Sequence, residues 1–277
     1  YVARLVVTAG PGLGTAGTVP LVVRPAPDDH APLLVQVPVN TWQAYNAWGG
    51  KSLYNFNSTD NVPATHVSFD RPFAWGSPGS QALSQWELPL VRFLEREGYE
   101  VAYQTDQDTD ASPSSLLRHR VVLTAGHGEY WTRGEWEAFF EARDEGTSLA
   151  FMGANTAYWQ VRYEDGGRTL VGYKSLADPI TSILDRTTLF RVNGRFECSL
   201  LGVQHQGSTI LGGIAPPDYR PTPEGVVDPW LLGTGLTTDT VLAGLVGPEW
   251  DTIPGGYDPV PCADLRVVPL LAYDGPP

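Results

Sequence analysis

The apolar positions fall into two patterns along this chain. Residues 1–25 alternate apolar and polar, with Gly10-Pro-Gly-Leu-Gly14 interrupting. That predicts a strand from Tyr1 to about Val7, a loop and a second strand over Val19–Arg24. Pro25-Ala-Pro-Asp-Asp-His30 has linker composition. The pattern then changes. Leu33–Val37, Arg120–Thr124 and Ser148–Met152 are nearly continuous apolar runs, and Tyr99–Tyr103 is a further strand candidate. Between them lie stretches of helical spacing. Leu83, Trp86, Leu90, Phe93 and Leu94 share one face of a helix expected over 82–97, with Ser80 as its cap and Gly98 as its stop. A second helix is expected over 133–145, capped by Thr132 and ended by Gly146. Buried strands separated by amphipathic helices imply an α/β fold, a parallel sheet with helices on both faces. Residues 160–277 are less regular, with short strands such as Leu200–His205 and Val267–Ala272, and read as a β-rich extension. The division expected is 1–28, the last strands of a truncated β-sandwich domain plus linker, and 29–277, the α/β domain. The start inside a strand, without a leader, reads as a processed or truncated product.

Composition narrows the function. Net charge is −13, with 18 Lys and Arg against 31 Asp and Glu, which argues against nucleic-acid and anionic-membrane partners. No apolar run approaches the length of a membrane span. The two cysteines, Cys198 and Cys262, are too few for a cysteine-based zinc site. They could form one disulfide or remain two buried thiols; the disulfide is favoured, and with it an extracellular location.

Ligands of parallel sheets bind beyond the carboxyl ends of the strands. That rule points to the loops 40–56, 125–131 and 153–159, the first within a polar and aromatic stretch running from Asn40 to about Gly79. His127 and Glu129, two apart after a buried strand, suit a metal, an acid/base pair or a simple polar turn. Tyr45 and Tyr54 flank Gly49-Gly50-Lys51, and read either as aromatic packing or as phenolates for a trivalent iron. Asn155, in Gly153-Ala-Asn-Thr-Ala157, has the strand–turn–helix layout of a nucleophile elbow. Asn is no nucleophile of that kind, but it can donate a hydrogen bond to an oxyanion. Asp106, Asp108 and Asp110 read as a polar loop, since the glycine and final Glu of a calcium loop are missing.

Taken together, Thr41–Tyr54, Val67–Phe73, Arg92–Tyr99, Ala125–Trp131, Gly153–Trp159, Gly233–Leu236 and Gly244–Asp251 resemble the C-terminal domain of the large subunit of N,N-dimethylformamidase and its relatives. The resemblance implies a flavodoxin-like sheet related to class I glutamine amidotransferases. It implies a mononuclear Fe³⁺ held by Tyr45, Tyr54 and Glu129, with His127 as acid/base group and Asn155 orienting an amide. It also implies a small amide substrate, and either a homo-oligomer or a small partner subunit. Two departures are Gly128, where the family often has an acid, and Pro248, where an aromatic is common. Two other functions fit the residues. One is a secreted, non-catalytic module that binds a sugar or protein through Trp42, Trp48, Trp75, Trp131 and Trp159. The other is an assembly subunit.

Overall fold

The run Leu33–Val37 becomes strand β3, buried from Leu34 onward as the apolar pattern requires. Helix α1 (Val39–Tyr45) follows almost at once. Strands β5 (Val101–Thr105), β6 (Val121–Ala125) and β8 (Ser148–Met152) complete a four-stranded parallel sheet in the order β5-β3-β6-β8. Leu33 pairs with Val101 on one side and Val121 on the other, and Val121 pairs with Ser148. The structure is a computed structural model; it describes residues 1–73, 83–208, 218–245, 247, 249–254, 262 and 265–273.

The pleat of this sheet sorts its side chains. Leu33, Val35, Val101, Tyr103 and Leu123 point one way, and Leu90 and Leu94 of helix α2 (Leu88–Arg96) cover them. Gln36 and Gln104 point the other way, toward helices α3 (Asp106–Ala111) and α4 (Arg133–Asp144). Thr132 caps α4 as expected, in a reciprocal pairing with Glu135. Gly98 and Gly146, at φ 77° and 97°, end α2 and α4 where the glycines predicted.

A second sheet supports the loops at the edge of the first. Its strands are β4 (His66–Ser68), β7 (Tyr130–Thr132), β9 (Trp159–Glu164) and β10 (Thr169–Val171), in the order β4-β10-β9-β7. Strands β7 and β9 run parallel; the other pairs are antiparallel. Val67, Tyr130, Val161 and Leu170 of this sheet form a buried cluster with Ala44 and Leu53. Tyr45, Tyr54, Trp159 and Tyr163 pack on that cluster.

The chain divides into two units, Tyr1–Arg195 and Phe196–Pro277. The first also contains the hairpin of β1 (Val2–Val6) and β2 (Ala16–Pro20), whose second strand lies earlier than expected. In the second unit, helix α5 (Cys198–Leu201) precedes β11 (Gln204–Ser208), which pairs with β13 (Glu249–Thr252). Strand β12 (Arg220–Pro221) pairs with β14 (Leu271–Ala272). Cys198 and Cys262 are disulfide-bonded, with Cα atoms 5.8 Å apart. No helix among the described residues is long and apolar enough to cross a membrane.

Several local expectations are corrected. The helix expected over 82–97 is a π-helical turn, Leu83–Glu87, followed by α2. Pro89 lies in the first turn of α2 and has no N–H to donate back, which favours the break there. Trp86 and Phe93 are exposed rather than buried with Leu94. Ser80 and Trp75 lie outside the described residues. The start of the supposed loop 40–56 is α1, and the aspartate loop is α3, with Thr105 and Asp108 forming a reciprocal cap. Residues 200–205 contain a helix end and only the start of β11, because Gly202 adopts φ 77° between them. Only Leu271–Ala272 of the expected strand 267–272 is paired.

Candidate metal centre

Tyr45 is the last residue of α1. Pro38 offers that helix no side-chain cap; the Asp106 carboxylate accepts the Asn40 N–H at 2.8 Å instead. Asn57 Nδ2 holds the carbonyl of Tyr45 at 2.8 Å. Tyr54 is fixed by a knot of hydroxyls: its N–H donates to Ser52 Oγ at 2.9 Å, and Ser58 Oγ donates to its carbonyl at 2.6 Å. Arg71 ties the intervening loop down. Its guanidinium donates to the carbonyls of Gln43, Trp48, Lys51 and Ser68. Glu129 enters just before β7, and Thr41 Oγ1 accepts its N–H at 3.1 Å and that of Tyr130 at 3.3 Å.

These supports bring three of the predicted residues together. Tyr45 Oη donates to Glu129 Oε2 at 2.8 Å. Tyr54 Oη lies 2.7 and 2.8 Å from the two Glu129 oxygens and 2.8 Å from Tyr45 Oη. The two phenol rings stack with centroids 4.3 Å apart. Four oxygens thus crowd one point, and one hydroxyl hydrogen cannot serve three close acceptors at once. Oxygen donors sharing one cation at bonds of about 2 Å lie about 3 Å apart when their bonds meet near a right angle. The donor set therefore fits a small, hard cation. Among the described residues no group of three or more His, Cys, Asp or Glu side chains could hold a metal, so such a cation would depend on the phenols. Burial, and after it the charge of Glu129, holds the Tyr54 phenol well above its ordinary pKa. A bound multivalent cation works against both effects.

His127 stands beside the triad, its Nε2 3.7 Å from Glu129 Oε2. Its ring faces Tyr45 at 5.9 Å and meets the edge of Trp86 at 5.5 Å. Asn155 is buried at φ 57°. The turn that bears it is strapped to the His127–Glu129 loop by three backbone bonds, Ala157 N–H to Gly128 O and the N–H groups of Tyr158 and Trp159 to Glu129 O. The turn leads into β9, so the element is strand–turn–strand, not the strand–turn–helix expected.

Lys174 was not among the expected residues. Its ammonium sits 3.5 Å above the Tyr54 ring, 5.3 Å from the Trp159 ring and 3.3 Å from Tyr130 Oη. Burial pushes its pKa down to about 8, opposed by the charge of Glu129. Lys174 adopts φ 54°, unusual for a residue with a side chain. The chain has only two lysines, and that rarity is the one sequence signal it offers.

Residues 1–270 match the family described as N,N-dimethylformamidase beta subunit-like, C-terminal. The chain belongs to that family. Two curated relatives are N,N-dimethylformamidase beta subunits. The one from Alcaligenes sp is 35% identical over 83 residues, 28% of this chain and 11% of the relative. The one from Paracoccus aminophilus is 34% identical over 83 residues, with the same shares covered. The match thus spans about a tenth of the length of these dimethylformamidase subunits, and fold and site in this family member are carried by its own geometry.

Proposed function

We propose that this chain hydrolyses the C–N bond of a small amide at a mononuclear ferric centre held by Tyr45, Tyr54 and Glu129. The observation that carries the reading is the convergence of those three side chains within 2.8 Å. Hard anionic oxygens favour a hard cation, and two phenolates with one carboxylate balance a charge of +3. Ferric iron, when bound, supplies Lewis-acid polarisation of a carbonyl and acidification of water. The protein residues supply the rest. His127, at the edge of the triad, moves a proton to the departing amine. Asn155 donates to the amide oxygen as negative charge develops there. Lys174 places a positive charge against the Tyr54 ring and steadies its phenolate form. Phe56, exposed and 5.2 Å from the Tyr54 ring, borders the approach.

The names of the relatives favour N,N-dimethylformamide or a similar small amide, and an oligomer or a small partner subunit. The strand order β5-β3-β6-β8 supports a flavodoxin-like reading of the sheet, akin to class I glutamine amidotransferases. The Cys198–Cys262 bond favours an extracellular location. Binding through aromatic loops is less well supported, because Trp42 and Trp131 are core residues, 3% and 1% exposed.

The test is elemental analysis of the purified protein with its visible spectrum, followed by assays of simple formamides before and after iron removal. Near-stoichiometric iron, a broad charge-transfer band and iron-dependent amine release are expected. A protein that refuses added iron, or that hydrolyses amides equally well without it, overturns the proposal.

A further inference from the structure

Glu87 ends the π-helical turn Leu83–Glu87 and is fully buried. The Trp42 indole N–H donates to its Oε1 at 3.4 Å. Its Oε2 is buried with no hydrogen-bond partner among the described residues. A half-satisfied buried carboxyl is costly, and π-helical turns are frequent at functional positions. The carboxyl presses on the loop that carries His127. A Cβ at Gly126 would lie 2.7 Å from Glu87 Oε1 and 2.7 Å from Trp86 Cβ. Gly126 also adopts φ 69°, so glycine is required there on two counts. Trp86, from the same turn, sets its ring edge against His127. One short wide turn therefore places an indole and a carboxyl around the Gly126–His127 segment.

We propose that Glu87 is a positioning residue of the site, a buried carboxyl behind the Gly126–His127 turn whose charge sets the electrostatic field at His127. The inference rests on the function proposed above. Glu87 meets Trp42 from α1 and Gly126 from the loop after β6; His127 is the titratable neighbour whose charge reaches it. Burial raises the Glu87 pKa to about 7, against the Trp42 hydrogen bond and the charge of His127. Glu87 is therefore neutral on the acid side of neutrality and an anion on the basic side. It switches in the range where an acid/base histidine works.

The experiment uses the full chain, free of metal, and follows the infrared carbonyl band of protonated carboxylic acids from pH 5 to 9. The wild-type minus Glu87→Gln difference isolates the Glu87 band. The expected band titrates near pH 7, and in His127→Ala its midpoint rises. Glu87→Asp, which keeps the acid, retains a titrating band. No band at pH 6, or a midpoint indifferent to His127→Ala, overturns the inference. Where formamide hydrolysis is found, Glu87→Gln removes the limb of the kcat profile near pH 7 and leaves KM unchanged, and Glu87→Asp restores part of it. Hydrolysis with that limb intact overturns the role of Glu87 and leaves the amidase reading standing. A titrating, His127-coupled Glu87 in a protein that hydrolyses no amide separates the opposite failure.

Discussion

The hydroxyl of Tyr54 lies 2.8 Å from that of Tyr45, although the two are nine positions apart across a glycine-containing turn. Both oxygens also reach Glu129, 75 residues beyond Tyr54. On the proposed function, a cation bound there would rely on all three. Tyr54→Phe is expected to abolish the charge-transfer band and to lower iron content below stoichiometry, and Tyr45→Phe and Glu129→Ala to do the same. Elemental analysis and visible absorption check this. A Tyr54→Phe protein with full iron and an unshifted band would contradict it.

Lys174 meets the Tyr54 ring face, and its one hydrogen bond among the described residues goes to Tyr130 Oη rather than to an oxygen of the triad. Lys174→Met keeps most of its apolar stem and removes the charge above Tyr54. Groups that orient or polarise metal ligands are worth about 10–100-fold in affinity. Iron binding is expected to weaken by about that factor while the unfolding temperature changes little. Competition with a chelator measures the first and calorimetry the second.

Among the described residues Arg71 donates to neutral acceptors, four carbonyls and the Gln43 amide oxygen at 3.2 Å. Lysine has no planar fork to reproduce that pattern. Arg71→Lys is expected to cost about 1–2 kcal/mol, because some part-buried carbonyls lose their donor. Iron affinity falls with it, since the fork spans the loop between the two tyrosines. Urea unfolding and metal titration on one preparation test both effects. Full iron affinity in a destabilised variant would show that the loop does not set the site.

Stability should fall as pH rises from the acid side. Burial, then the charge of Asp106, raises the Glu135 pKa well above the ordinary carboxylate range. A group with a raised pKa in the folded state favours folding while protonated, and that contribution is lost as pH climbs through the folded value. Gln36 Nε2 donates to Glu135 at 2.6 Å, and glutamine can replace Glu135 in the Thr132 cap. Glu135→Gln is therefore expected to flatten the decline in urea midpoint as pH rises from the ordinary carboxylate range, and urea unfolding of both proteins across pH measures it. A wild-type midpoint that rises with pH there would refute the sign.

The parts of this molecule governed by neighbours in sequence were legible in advance. Leu33–Val37 is apolar enough to demand burial in a strand, and Thr132, Gly98 and Gly146 mark helix ends by local chemistry; the equally apolar Ser148–Met152 is a strand too, but at the sheet edge, where it stays half-exposed and Met152 is open. What was hidden depends on distant partners. Helix α1 has no side-chain cap of its own, and its Asn40 N–H looks instead to Asp106, 66 positions further on. Strands β4 and β10 are three residues each, too short for a period to appear. Residue spacing left Tyr45 and Tyr54 open between packing and ligation; the resemblance alone suggested a ligand set. Lys174 lies 120 positions from the ring it covers, and no motif announces it.

The close approach of two backbone segments has a consequence for divergence. A Cβ at Gly153 would lie 2.1 Å from the carbonyl oxygen of Gly126, so the turn of Asn155 and the loop of Glu129 touch without room for a side chain. Neither segment can lengthen or shift without the other, and a mutational route through either one alone is closed. If the proposed activity holds, changes in substrate preference among members of the family are therefore expected to accumulate at exposed positions bordering the oxygen cluster, such as Phe56, and to leave the cluster itself unaltered.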